Sequence, residues 1–304
     1  MARASIREAL LEVSRVWLHE AAAGELSIET VDLYIQVSER FERYADAHCV
    51  SRMDGVTSGL TEAFIAAPGL NRRNTITLIP AGSTRRQRRS AITSLFAHAR
   101  SLGLTKAAPL LDSPPIKRSP RKPGAGLTER DVENLQFHAE RGMPATRHAA
   151  LLALLLAGLN SAETAAADTT DLDLSAAEVN TLGGTHTHAR TCPLTEWAVH
   201  VLGLRAARLE CGGNGPHRLV TSTRSSRNGA QASVGAGFND IARNAGLATH
   251  SRKVEPRDIT RYVAGQILRE TGQLSEVARR LGLSSLDSAA ALAGLAWQNG
   301  EGAK

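Results

Sequence analysis

The stretch SPPIKRSPRKPGAG, Ser113 to Gly126, limits the fold of this chain more than any other. Four prolines at this spacing cannot continue a helix, and the residues before them are pushed into extended backbone. Helical patterning runs on both sides of it, so the segment predicts a boundary: a helical domain over 1–111, an extended basic linker over 112–126 and a second domain over 127–304. A length of 304 residues suits about two domains, each able to bury its own core.

Charge is segregated in the same way. The total is only +6, yet Ala63 to Lys122 holds twelve basic residues against Asp112 alone, and Arg205 to Arg280 holds thirteen against six acids. The rest of the chain is left at net −12. Of the 36 basic residues 31 are arginine, the side chain that grips phosphate bidentately. No apolar run approaches the roughly 20 residues needed to cross a bilayer. The opening MARASIREALLEV carries Glu8 and Glu12 and no signal-type stretch, so the expected location is the cytoplasm, associated with the nucleoid. Cys49, Cys192 and Cys211 are odd in number and form no CxxC pair, which argues against a disulfide framework or a structural zinc site.

Apolar residues recur at helical spacing over 5–22, in a helix capped by Ser27 and running through Tyr44, and over Asp54–Ala66. After a loop from Gly69 to Gly82, Ser83 or Thr84 is expected to cap a fourth helix that buries Ile92, Leu95, Phe96 and Ala99. Its first two turns hold Arg85, Arg86, Arg88 and Arg89, where the helix dipole is already positive. Such a cluster is easier to understand against a polyanion than as inert surface. In the second domain Thr128 and Asp131 have capping-box character ahead of a helix to about Arg141, followed by an apolar helix from His148 to Leu159 and a short one from Ser161 to Ala167. Glu178–Leu182 and Thr187–Leu194 read as two strands around a Gly-Gly-Thr turn. Further helices are expected at Glu196–Glu210, Gln231–Ala245, Glu255–Thr271, Leu274–Leu281 and Ser285–Trp297.

In this order the elements resemble the tyrosine recombinase (phage integrase, Xer-like) family. STRRQRRSAITSLFAHARSLG is similar to the last helix of that family's core-binding domain, LTERDVENL to the entry of its catalytic domain, and LLALLLAGLNSAET to its apolar helix with a Gly-Leu-Arg-x-x-Glu turn. EVNTLGGTHTHARTCPL resembles the hairpin ending Lys-x-Arg-x-x-Pro-Leu, VEPRDITRYVAGQIL the Pro-His-x-x-Arg-His helix start, and VARRLGLSSLDSAAAL the Leu-Gly-His segment before the nucleophile. The resemblance implies a mainly α protein: a helical, SAM-like core-binding domain and a tyrosine-recombinase-like α domain with a small β-hairpin, the two clamping double-stranded DNA. It also implies a C-terminal segment that docks on a neighbouring copy, hence a homo-oligomer on DNA.

The catalytic positions depart from the pattern. Asn160 stands where the first arginine belongs, Thr185 at the hairpin lysine, Arg257 and Thr260 at the His-x-x-Arg pair with Arg261 following, Leu283 at the later histidine, and Leu292 near the nucleophilic tyrosine. Attack on a phosphodiester needs a hydroxyl nucleophile, cations for the pentacoordinate phosphate and an acid for the leaving oxygen. The only tyrosines are Tyr34, Tyr44 and Tyr262, and the 42 residues after Tyr262 contain none. The residues therefore argue against strand transfer and for DNA binding with no catalytic residue, no cofactor and no metal. The expected contacts are Arg72, Arg73, Arg85, Arg86, Arg88, Arg89, Lys117, Arg118, Arg121, Lys122, Arg190, Arg257 and Arg261. The expected role is an architectural, regulatory or replicon-maintenance factor, with an active divergent recombinase and a helix-turn-helix regulator as alternatives. For the last, Leu274–Leu292 has the right outline, but its second helix lacks basic or amide side chains before Gln298 and reads as packing. His186, His188 and Cys192 alternate along one strand and read as a polar face rather than a metal site.

Overall fold

A computed structural model describes residues 4–70, 75–116, 126–141, 145–184, 187–211, 215–222, 225–249 and 252–295. Two compact units divide at Arg121/Lys122. Arg72, Arg73, Lys117, Arg118, Arg121, Lys122, Thr185 and His186 lie outside the described residues.

The first unit contains α1 (Ile6–Ala22), α2 (Ile28–Ala47), α3 (Ser58–Ala66), a two-stranded ribbon of β1 (Gly69–Leu70) and β2 (Ile76–Thr77), and α4 (Gly82–Ser101). Ser5, Ser27 and Thr57 cap the first three helices, each accepting a backbone N–H from the first turn. Their apolar faces meet around Trp17, Phe41, Phe64 and Phe96, with Phe41 edge-on to Phe64 at 5.2 Å and to Phe96 at 6.4 Å.

Two expectations fail here. The stretch from Gly69 to Gly82 is not a plain loop, because it pairs as the β1–β2 ribbon. Helix α4 begins at Gly82, behind a cap residue, Ala81, that offers no side-chain acceptor; Ser83 and Thr84 are already inside the helix. The larger correction concerns Arg88, which belongs to the core face of α4. It lies four residues before Ile92, so the helical repeat puts it on the Ile92–Leu95–Phe96–Ala99 stripe. Its Nη1 donates to the carbonyls of Phe64 (3.0 Å), Ile65 (3.3 Å) and Ala67 (2.6 Å), and its guanidinium lies 5.5 Å from the Phe64 ring centroid. The Phe64 carbonyl also accepts the Ala67 N–H, and with those of Ile65 and Ala67 it closes the end of α3, so Arg88 is a buried C-terminal cap instead of a phosphate contact. A Cβ on Gly69 would come within 2.8 Å of its Nη2, which explains the glycine there.

The second unit contains α5 (Glu129–Arg141), α6 (Ala145–Leu156), α7 (Ser161–Ala166), a sheet of β3 (Leu172–Asp173), β4 (Glu178–Thr181) and β5 (Arg190–Pro193), then α8 (Glu196–Glu210), α9 (Arg227–Asn244), α10 (Pro256–Thr271), α11 (Leu274–Leu281) and α12 (Leu286–Ala293). The Thr128–Asp131 capping pair forms as expected, with reciprocal bonds of 3.1 and 3.0 Å. Every residue from His148 to Leu155 is buried, because α5, α7, α8, α9 and α10 surround α6, and a helix apolar on all sides requires such a place.

The sheet is antiparallel in the order β3-β4-β5, with Val179 opposite Cys192. The expected strands are thus shorter than the sequence pattern suggested, and β3 was not foreseen. Cys192 points into the core while His188 is exposed, so they do not share a polar face, and no group of three metal-ligating side chains occurs among the described residues. Helix α12 buries Ala289 in a small cluster with Ala264, Ile267, Val277 and Leu281, and Ala290 beside it in the helix is buried too, the packing role expected for the helix-turn-helix outline.

Replacing Arg88 with alanine removes the side-chain donor from the Phe64, Ile65 and Ala67 carbonyls and should cost about 2–3 kcal/mol in urea unfolding. A loss no larger than that of an exposed arginine would contradict the capping role. Burial holds the His148 imidazole below its ordinary pKa, and its Nδ1 has no partner. The unfolded chain therefore protonates this group first, near pH 6.5, and stability should fall as pH drops below that value. His148→Leu should flatten the slope.

Candidate functional site

The residues gathered around Asn160 are built on the corner where α6 gives way to α7, on the β4–β5 hairpin and on the end of α11. Asn160 occupies the N-cap of α7, and its Oδ1 accepts from the N–H groups of Ala162 (2.9 Å) and Glu163 (3.0 Å). Arginine has no acceptor and cannot do this. Glu163 completes the capping box by accepting the Asn160 N–H at 2.8 Å.

Glu163 then gathers everything around it. Its side chain is fully buried and meets the Arg190 guanidinium, itself 7% exposed, through two bonds of 2.9 Å. Thr187 donates its hydroxyl to Oε1 at 2.5 Å, and Asn160 Nδ2 donates to that hydroxyl at 3.3 Å. Arg190 spends its remaining donors on carbonyls of three segments: Gly158 (2.9 Å), Arg280 (3.1 Å) and His188 (3.1 Å). The chain approaches so closely at Gly282, φ +66°, that a Cβ would lie 2.6 Å from Arg190 Nη1.

Burial alone would raise the Glu163 pKa, but the bonds from Arg190, Thr187 and the Asn160 N–H outweigh it and hold the carboxyl below its usual range. Burial likewise opposes the charge on Arg190, and Glu163 more than restores it. The network is a neutral, satisfied pair, so Arg190, expected to touch DNA, has its guanidinium occupied internally. Glu163 and Thr187 were not among the expected site residues. Two sequence signs point to Glu163: it stands at the glutamate of the Gly-Leu-Arg-x-x-Glu turn and closes an Asn-Ser-Ala-Glu capping box.

The other expected residues are dispersed. Leu283 bridges to Thr187 and packs with Leu292 in the small C-terminal cluster. Arg257 is exposed in the first turn of α10, Thr260 is half-buried, and the Arg261 guanidinium donates to Asp258 at 2.9 Å. In the first unit Arg89 donates to the carbonyls of Ser113 (2.6 Å) and Pro114 (2.9 Å), tying down the start of the proline-rich segment. Arg85 and Arg86 are partly exposed, and Arg85 makes no hydrogen bond or ion pair among the described residues. Tyr262, half-buried against the second core, accepts from Gln266 Nε2 at 2.7 Å.

Solved structures of integrases share this fold. The chain is similar to a lambda integrase dimer bound to a COC' core site at 14% identity, over 99% of this chain and 98% of that one, with a TM-score of 0.71. A lambda integrase tetramer bound to a Holliday junction matches at 14% identity, over 96% and 78%, with a TM-score of 0.70. The Tn1549 transposon integrase in complex with transposon right end DNA matches at 12%, over 92% and 94%, with a TM-score of 0.62. No protein-family model and no curated protein sequence matches the chain. No helix among the described residues is long and apolar enough to cross a membrane.

Breaking the buried pair from one side should be severe: Glu163→Ala or Arg190→Ala alone is expected to cost about 3–5 kcal/mol by leaving an uncompensated charge. Replacing both with leucine should cost far less than the two losses added together. Additive losses below about 1 kcal/mol each would deny the network its structural role.

Proposed function

We propose that this chain is a double-stranded-DNA-binding protein that uses an integrase-like fold without tyrosine-mediated strand transfer, as an architectural, regulatory or replicon-maintenance factor. The observation that carries this reading is the neutral Glu163–Arg190 pair at the position where a reacting phosphate would need unpaired cations. Asn160, Thr260, Leu283 and Leu292 add no cation, acid or nucleophile there. Tyr262 lies in the middle of α10 with its hydroxyl engaged, and no tyrosine follows it.

DNA binding is supported by the solved neighbours that hold DNA and by the two basic territories. Within the described residues Arg85, Arg86, Arg89, Arg257 and Arg261 all keep exposed surface and are the candidates for phosphate. Arg72, Arg73 and the linker cations Lys117, Arg118, Arg121 and Lys122 extend the same territory in sequence. Contacts of this kind position a duplex without reading its bases. Self-association on DNA through the C-terminal segment is part of the proposal, in keeping with the dimeric and tetrameric neighbours.

Binding of a random duplex measured across a range of salt concentrations tests the reading. The logarithm of affinity should fall linearly with the logarithm of salt. Arg85→Ala with Arg86→Ala should reduce the slope by roughly 1 per arginine and weaken all sequences alike. An unchanged slope, or no duplex binding by the native chain, would sink the proposal.

A further inference from the structure

A second concentration of positive charge lies at the opposite end of α6 from Asn160, about 18 Å away along a helix of 12 residues. Arg147, in the first turn of α6, donates from Nε to the Val220 carbonyl at 2.7 Å and from Nη2 to Ser233 Oγ at 2.6 Å. Arg205, on α8, donates from Nε to the Leu219 carbonyl at 2.7 Å and from Nη1 to Thr146 Oγ1 at 3.4 Å. Consecutive carbonyls thus hold two guanidiniums side by side. Arg208 follows Arg205 by three residues on the same helix face and is exposed.

Several arginines elsewhere are answered by an acid, Arg190 by Glu163, Arg252 by Asp131, Arg261 by Asp258 and Arg279 by Glu276, while Arg88 and Arg89 are held by carbonyls. None of Arg147, Arg205 and Arg208 meets a carboxylate among the described residues, which include every Asp and Glu of the chain except Glu301. Carbonyls and hydroxyls fix the first two side chains without neutralising them. Burial, then the charges of Arg147 and Arg208, hold the Arg205 pKa below its ordinary value, so the three cations feel one another. A purely structural role accounts for the bonds to Leu219 and Val220. It does not account for a third, exposed cation beside them.

Donors remain for a ligand. Arg147 keeps Nη1, Arg205 keeps Nη2, and Arg208 keeps its whole guanidinium, while the α6 N-terminus adds the positive end of its dipole. We infer that Arg147, Arg205 and Arg208 form a phosphate-binding site at the start of α6, separate from the Glu163–Arg190 corner. The ligand is a phosphate group, carried either by a nucleic-acid backbone or by a free polyphosphate. The pinned pair fixes the geometry, and Arg208 closes over the anion.

Arg208 is exposed and makes no bond among the described residues, so Arg208→Ala and Arg208→Glu should leave the far-ultraviolet circular dichroism and the urea midpoint of the full chain unchanged. Sodium tripolyphosphate, compared with chloride at equal ionic strength, should bind the native chain in calorimetry, and about tenfold more weakly after Arg208→Ala. Arg208→Lys should recover part of the loss. If the phosphate belongs to nucleic acid, Arg208→Ala also lowers duplex affinity and reduces the salt slope by about 1; if it is a free polyphosphate, duplex binding is unchanged. Failure of both ligands to respond to Arg208 overturns the site, as does preferential binding of a poly-glutamate peptide. Arg85→Ala with Arg86→Ala should leave the tripolyphosphate result intact, which separates this inference from the proposed function.

Discussion

The second unit is organised by one buried ion pair. Glu163 and Arg190 come from segments 27 residues apart, and between them they contact the end of α6, the cap of α7, the hairpin and the end of α11. Desolvating both charges is expensive, and their attraction offsets that only because the remaining donors and acceptors of the two side chains are matched. Asn160 caps, Thr187 donates to the carboxylate, and three carbonyls absorb the rest of the guanidinium. Gly282 is fixed by the same crowding, since any side chain there would collide with Arg190.

That arrangement bears directly on chemistry. A phosphodiester undergoing transfer gathers negative charge, and a site that accelerates the step presents cations not already neutralised by the protein. At this corner Glu163 and Arg190 cancel, and Asn160 is a helix cap. A cap at Asn160 strengthens α7 and a cation there would not, so the corner is suited to stability. Positive charge persists elsewhere, on the first turns of α4, on α10, and where α6 begins beside α8.

Much of this architecture was legible from the sequence, and the reasons can be named. Helices α5, α8 and α11 were placed correctly because each has a local boundary signal: Thr128 with Asp131, Thr195, and Gly282 in the left-handed region. Strand β3 was not legible, since two residues, Leu172 and Asp173, become a strand only by pairing with β4. The arginine cluster of α4 was read as one face although its helical phase divides it. Arg88 continues the Ile92 stripe inward, and Arg85, Arg86 and Arg89 stay partly exposed. The engagement of Arg190 was out of reach, because its partner is fixed by the tertiary meeting of a helix corner and a hairpin.

As proposed, the integrase-like fold holds duplex DNA while the Glu163–Arg190 corner stays internally neutralised. Incubating the full chain with a nicked duplex that traps cleavage intermediates, followed by electrophoresis in SDS beside a native gel, tests it most directly. The account predicts a complete native shift with no protein-linked DNA surviving the detergent. A detergent-stable protein–DNA adduct would contradict it.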